Sequence, residues 1–279
     1  MSVHIPTTID DALAILSERS DATVLSGGTD IMVEINFNHR KPTTVVSVNR
    51  IDELKTWKID QVSQSVFIGS GVPYGEMETG PLSTAVPALS AAARTVGSPQ
   101  IRAAGTIGGN LGTCSPAGDA LPVLSALDAT VHLVSERGER TVSIHDFMVG
   151  PKRNSRESDE LITGVTLPLT NQWQGYSKVG VRNAMVISVA SCCLALQGDK
   201  YSIALGSVGP TIIRCHETES WLNSFSPDQL RSDVSIFEEV ARKVSSESRP
   251  IDDHRSTAEY RRHAVGVLAR RLLQRSLQS

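Results

Sequence analysis

The chain predicts an α+β fold, and three features of its 279 residues carry that expectation. Between Thr8 and Val48, helix and strand signals alternate, as in one small α/β unit. Between Ser65 and Leu167, short apolar strands recur on both sides of a glycine-rich run. Beyond Gln174 three strand-like runs come first and helices follow, so the two element types are segregated.

Taken in order, Thr8-Ile9-Asp10-Asp11 resembles a capping box with aspartate in its last place. Ile9, Ala12, Leu13 and Leu16 then predict a helix over 9–18. A short strand around Val24 ends in Gly27-Gly28, Thr29 or Asp30 caps a helix over 31–35, and 44–48 is the next strand. The strand at 65–70 runs into Gly69-x-Gly71-x-x-x-Gly75. This misses the dinucleotide fingerprint, because Pro73 interrupts it and no apolar-faced helix follows. Pro87 opens a helix with Leu89, Ala92, Ala93 and Val96 inside, and Gly97 stops it.

A short buried helix at 121–127 precedes strands at 130–135 and 140–142, which flank a turn at 136–139. The polar stretch 152–159 is a loop, and the strand at 161–167 stops at Pro168. After a candidate boundary at 170–174 come strands around 175–181, 186–196 and 201–208, with Gly198-Asp199 turning between the last two. Helices follow from about His216 and Pro227, and a long last helix is capped by Ser256-Thr257-Ala258-Glu259. Its inner stripe reads as Tyr260, Ala264, Val267 or Leu268, and Leu272, with Arg261, Arg262, Arg270, Arg271 and Arg275 facing solvent.

Composition bounds what the protein does. A net charge of -3 gives no general electrostatic case for nucleic acid. The longest apolar run, 184–196, is too short to span a membrane, and residues 1–10 lack the basic and apolar regions of a signal peptide. A cytoplasmic protein with no membrane span is expected. Cys114, Cys192, Cys193 and Cys215 form no C-x-x-C pair, no H-x-x-x-H occurs, and no G-x-S-x-G elbow is present. No metal site and no catalytic side chain is therefore assigned; chemistry must come from a bound cofactor. Cys192 and Cys193 are neighbours on a strand, so they face opposite sides as small buried hydrophobes.

Two stretches suit such a cofactor. From Thr106 to Asp119, four glycines and a proline punctuate a run that no helix or strand template accommodates. Glycines let backbone N–H groups approach an anion. Thr106, Asn110 and Ser115 add donors, and Asp119 offers an acceptor. The second stretch, Leu25-Ser26-Gly27-Gly28-Thr29-Asp30-Ile31, is a strand end, a glycine turn and a helix start, which suits a diphosphate. Alone, each equally describes an ordinary tight loop; two in one chain favour a phosphate-bearing cofactor.

With both loops in place the chain resembles the flavin-carrying subunits of the xanthine dehydrogenase family, the molybdenum hydroxylases that include carbon monoxide dehydrogenase. Ser26-Gly27-Gly28-Thr29-Asp30, Thr106-Ile107-Gly108-Gly109-Asn110 and Ser115-Pro116-Ala117-Gly118-Asp119 carry the likeness. Tyr176-Ser177-Lys178-Val179-Gly180-Val181-Arg182, Gly206-Ser207-Val208-Gly209-Pro210 with Arg214, and Ile251 to Arg262 extend it in order over nearly the whole chain.

The resemblance implies a two-part FAD-binding domain of the vanillyl-alcohol-oxidase type over 1–170, divided near residue 52, and a smaller α+β domain over 171–279. Leu25 to Ile31 would hold the FAD diphosphate, with Gly27, Gly28, Thr29 and Asp30 as donors. Thr106, Ile107, Gly108, Gly109 and Asn110 would complete the cradle. Ser115 and Asp119 would meet polar parts of the nucleotide, and Ile162 and Lys178 would lie beside the cofactor.

It also implies a heterotrimer, or a dimer of such heterotrimers. A large subunit would carry the molybdenum cofactor, a small subunit two [2Fe-2S] clusters, and NAD+, oxygen or a quinone would accept the electrons. The missing cysteine ligand set argues against the 4-hydroxybenzoyl-CoA reductase branch, whose flavin subunit has its own cluster. Ser26, where the family commonly has alanine, and Cys114, where another small residue is usual, depart from the pattern. A free-standing flavin oxidase or reductase and a flavin-free scaffold subunit are the rival readings.

Overall fold

The computed structural model describes residues 1–278. The N-terminal unit runs β1 (Ser2–His4), α1 (Ile9–Glu18), β2 (Ala22–Leu25), α2 (Ile31–Asn36) and β3 (Thr44–Ser47). Its strands form a parallel sheet in the order β1-β3-β2. Helix α1 starts where its cap dictates, the Thr8 hydroxyl accepting from the Asp11 N–H at 3.1 Å. Ala12, Leu13 and Leu16 then pack on Val46, Val48 and Ile51. Full burial of a leucine is worth roughly 1.5–3 kcal/mol, more than the cap supplies, so this stripe fixes α1 on the sheet. Helix α2 buries none of its residues.

The middle region contains β4 (Trp57–Asp60), β5 (Ser65–Gly69), then α3 (Tyr74–Met77), α4 (Gly80–Ala85), α5 (Pro87–Thr95), α6 (Pro99–Ala104), α7 (Ile107–Thr113) and α8 (Leu121–Ala126). It continues with β6 (Thr130–Ser135), β7 (Gly138–Ser143), α9 (Ile144–Phe147), β8 (Met148–Gly150), β9 (Arg153–Asn154) and β10 (Leu161–Pro168). Five strands pair antiparallel in the order β4-β5-β10-β6-β7, and β8 pairs with β9. Helix α7 packs on β10.

Helix α7 corrects the expectation that residues 106–119 fit no helix. Thr106 caps it, accepting from the Gly109 N–H at 3.0 Å, and Ile107 and Leu111, four residues apart, are fully buried. A glycine inside a helix costs about 1 kcal/mol, so three of them are outweighed by two buried aliphatic side chains plus the cap. The one-turn α3 is likewise a helix, because Tyr74 and Met77 both face the core.

The C-terminal region begins with an antiparallel sheet in sequential order: β11 (Gln174–Val179), β12 (Ala190–Gln197), β13 (Lys200–Gly206) and β14 (Ile213–Arg214). Helices α10 (His216–Leu222), α11 (Pro227–Ser232), α12 (Ser235–Glu247) and α13 (Ala258–Ser276) follow. Helix α13 packs on β11 and β12, while α5 meets β11 and α8 meets β12 and β13. The sheet therefore has helices on both faces. Cys192 and Cys193 are each fully buried in different cores, as their adjacency requires.

Two expectations for α13 shift by one residue. The cap is Thr257, accepting from the Tyr260 N–H, rather than Ser256. The inner stripe is Arg261, Ala264, Leu268 and Leu272, so Tyr260 is half exposed and Arg261 is buried. The Arg261 guanidinium survives there because both of its terminal nitrogens find acceptors, although its Nε has none. It donates to the Val189 carbonyl at 3.0 Å and the Ser207 carbonyl at 2.9 Å, and pairs with Asp253 at 2.5 Å.

Candidate functional site

The fold brings the two glycine-bearing loops face to face. Leu25 ends β2, its carbonyl accepting from the Val48 N–H. The Ser26 hydroxyl lies 2.9 Å from the Thr106 hydroxyl. At Gly27 the backbone passes so close to the end of α6 that a Cβ would sit 1.7 Å from the Ala104 carbonyl oxygen. At Gly108 a Cβ would meet the Ser70 backbone oxygen at 2.6 Å. Only glycine permits either approach. Thr29 reaches Gly105, and Asp30 accepts from the Thr113 hydroxyl at 3.3 Å just before Ile31 opens α2.

The loops differ in what they leave free. In the second, the N–H groups of Ile107, Gly108 and Gly109 are taken by the Val72 carbonyl, the Ser70 carbonyl and the Thr106 hydroxyl. Ile107 itself is a core side chain. In the first, among the described residues, the N–H groups of Gly27, Gly28, Thr29 and Asp30 donate to no protein acceptor. These amides are left to water or to a bound acceptor, and a diphosphate supplies several acceptor oxygens. The second loop therefore acts as a rigid wall, and the first as the donor edge.

Further in, Asn110 lies against Gly118, and its side-chain carbonyl oxygen is buried without a partner. Tyr74, buried behind Gly105, also has an unpartnered hydroxyl. The Ser115 hydroxyl turns back to accept from the Ala117 N–H. Ile162 is buried where β10 shifts register against β6, on the strand that α7 covers. Free amides, an orphaned amide oxygen and an orphaned phenol fit a phosphate-bearing ligand with polar ring and sugar groups.

Asp119 and Lys178, 59 residues apart, form a buried ion pair at 2.7 Å. Tyr176 donates to the other Asp119 oxygen at 2.8 Å, and Lys178 also donates to the Thr95 carbonyl at 3.0 Å. Asp119 is thus already engaged by two donors rather than standing free as an acceptor. Burial pushes its carboxyl up from the usual range, while the Lys178 ammonium and the Tyr176 hydroxyl pull it back. Tyr176 was not singled out from the sequence, although its two-residue spacing from Lys178 on a strand places both on one face. Cys114 ends α7 at φ +49°, buried, and its thiol is pushed up to about 11, so it stays protonated at neutral pH.

Among the described residues no histidine, cysteine and carboxylate group could hold a metal, and no helix is long and apolar enough to cross a membrane. One local prediction follows. Thr106→Ala removes both the α7 cap and the contact to Ser26, and should lower unfolding free energy by about 1 kcal/mol in urea titration, with Thr106→Ser nearly neutral.

Known proteins share both the sequence pattern and the fold of this chain. Residues 1–170 match the family described as the FAD binding domain in molybdopterin dehydrogenase, and residues 176–276 match the CO dehydrogenase flavoprotein C-terminal domain. The chain is 36% identical to the nicotinate dehydrogenase FAD-subunit of Eubacterium barkeri, over 70% of this chain and 68% of that protein. It is 32% identical to the glyceraldehyde dehydrogenase medium chain of Sulfolobus acidocaldarius, over 94% and 92%. The fold superposes on a chain of the carbon monoxide dehydrogenase structure from Hydrogenophaga pseudoflava with a TM-score of 0.91 and 25% identity, covering 100% of this chain and 97% of that one.

Proposed function

The chain belongs to the FAD-binding subunits of the molybdenum hydroxylases, the oxidoreductase family of xanthine and carbon monoxide dehydrogenases, and from this premise we propose that it relays electrons inside such a complex. A small partner subunit with two [2Fe-2S] clusters delivers them from a large subunit with the molybdenum cofactor. NAD+ or another acceptor takes them away. The assembly is a cytoplasmic heterotrimer or a dimer of heterotrimers. Within the chain, 1–170, divided near residue 52, forms the FAD-binding domain and 171–279 the second domain.

The observation that carries this reading is the donor edge with unpaired amides held against a rigid glycine wall. Gly27, Gly28, Thr29 and Asp30 bind the diphosphate, with Thr106, Gly109 and Asn110 opposite. The second domain contributes Lys178 and Tyr176 through Asp119. FAD, when bound, supplies the redox chemistry. The residues orient it and set the field around it. Lys178 has three N–H donors and two are engaged, which leaves one to face negative charge without any proton transfer.

The test is to tag the chain in cells that make it, purify what travels with it, and assay flavin, iron and molybdenum. The reading expects about one FAD per chain together with both metals, since the cofactors are the redox carriers. Flavin in a chain that never co-purifies would instead make it a free-standing flavoenzyme. No flavin even after adding FAD would make it a scaffold.

A further inference from the structure

Helix α2 follows directly from the donor loop, yet none of its residues is buried, and Met32, Val33 and Phe37 are exposed. So short a helix is not stable on its own, and Ile31 and Ile35, one turn apart, are only half-buried. Polar links supplement that contact. The Glu34 carboxylate lies 2.5 Å from the Lys152 ammonium, Asp30 accepts from Thr113 at 3.3 Å, and Lys152 also stands 3.9 Å from Asp30. Arg40 approaches the second Glu34 oxygen at only 3.9 Å.

Lys152 is itself anchored on the opposite loop. It sits in the turn between β8 and β9 at φ +52°, a left-handed conformation unusual for a side chain of its length. Its N–H donates at 3.1 Å to the carbonyl of Cys114, the left-handed residue that ends α7. Two positions on, the Asn154 amide donates to the Leu111 carbonyl at 3.3 Å and the Gly112 carbonyl at 3.0 Å. The hairpin is therefore fixed to α7 through its backbone and Asn154, and the Lys152 side chain crosses to α2. Strained backbone of this kind is often retained beside binding sites. The depressed Glu34 carboxyl, held down first by the Lys152 hydrogen bond, agrees with a formed contact.

We propose that Lys152 is a positioning residue, an ionic strap that holds the donor loop against the glycine wall and slows the escape of FAD. This rests on reading the two loops as the FAD site. The pair is half exposed, so its worth is that of a surface ion pair. Lys152→Ala should release FAD roughly two- to fivefold faster at low salt. The difference should shrink as salt screens the pair.

The experiment follows recovery of FAD fluorescence on dilution of the flavin-loaded full chain, in wild type, Lys152→Ala, Lys152→Arg, Glu34→Gln and the Lys152→Ala/Glu34→Gln double variant. Both single removals should speed release equally, the double should add nothing further, Lys152→Arg should restore the slow rate, and urea midpoints should hardly move. Should Lys152→Ala not fold, Glu34→Gln carries the test by itself. Wild-type release rates in both single variants, or fully additive effects in the double, would overturn the strap while leaving the FAD site intact. A wild-type chain that binds no FAD would overturn the site and the strap with it.

Discussion

Gly27→Ala is expected to give a folded chain that holds no FAD. The added Cβ would stand 1.7 Å from the Ala104 carbonyl oxygen and 2.5 Å from its carbon, where ordinary contact begins near 3.4 Å. The obstacle is backbone, and it cannot yield easily. Gly105 is tied on both sides, its N–H donating to the Ile101 carbonyl and its carbonyl accepting from the Tyr74 N–H. The donor loop must retreat instead, taking the free amides of Gly27, Gly28, Thr29 and Asp30 out of reach of a diphosphate. Overpacking of this kind costs about 1–3 kcal/mol, too little to unfold a domain of ordinary stability. Flavin released per chain should fall close to zero while far-ultraviolet circular dichroism stays native.

Gly112→Ala is the matched control. A Cβ there meets nothing within 4 Å, and the position is helical, so stability should rise by roughly 0.5–1 kcal/mol with flavin content unchanged. A generic intolerance of glycine substitution in this stretch would lower both variants alike.

The second large effect belongs to the buried pair. Lys178→Met leaves Asp119 in a site where it is 8% exposed, with Tyr176 as its remaining donor. Removing one partner of a buried pair costs about 3–5 kcal/mol, against roughly 1 kcal/mol for a surface pair. The sign of the pH dependence follows from the direction of the shift. Burial already raises the Asp119 carboxyl above its unfolded value, and Lys178→Met removes the cation that opposes this. The folded variant then binds the proton more tightly than the unfolded chain. Its stability is fully retained below the unfolded carboxyl pKa and is lost as pH rises through the raised folded value. Urea midpoints measured across that range should decline with pH more steeply than in wild type. The double variant Asp119→Asn/Lys178→Met removes both charges and should recover part of the loss.

Local chemistry made much of this legible in the sequence. The Thr8 cap, the Pro87 helix start, the Gly198 turn and the opposite facing of Cys192 and Cys193 each depend on near neighbours, and each is found in the fold. Both glycine loops were visible too, since glycine density is a one-dimensional signal. The misses have tertiary causes. Helix α7 looked impossible on propensity, and the burial of Ile107 and Leu111 together with the Thr106 cap stabilises it. Arg261 looked solvated because charge usually is, yet Val189, Ser207 and Asp253 gather acceptors around it from elsewhere in the chain. The link from Tyr176 to Asp119 spans 57 residues, and the Lys152 strap spans 118, distances over which no local pattern speaks.

The central claim is that this chain itself holds FAD between the loops at 25–31 and 106–110. Titrating the purified, flavin-depleted chain with FAD while following absorbance and fluorescence tests it most directly. The account predicts saturation near one FAD per chain, with the Gly27→Ala variant failing to saturate. Binding by Gly27→Ala indistinguishable from wild type, or no binding by wild type, would contradict it.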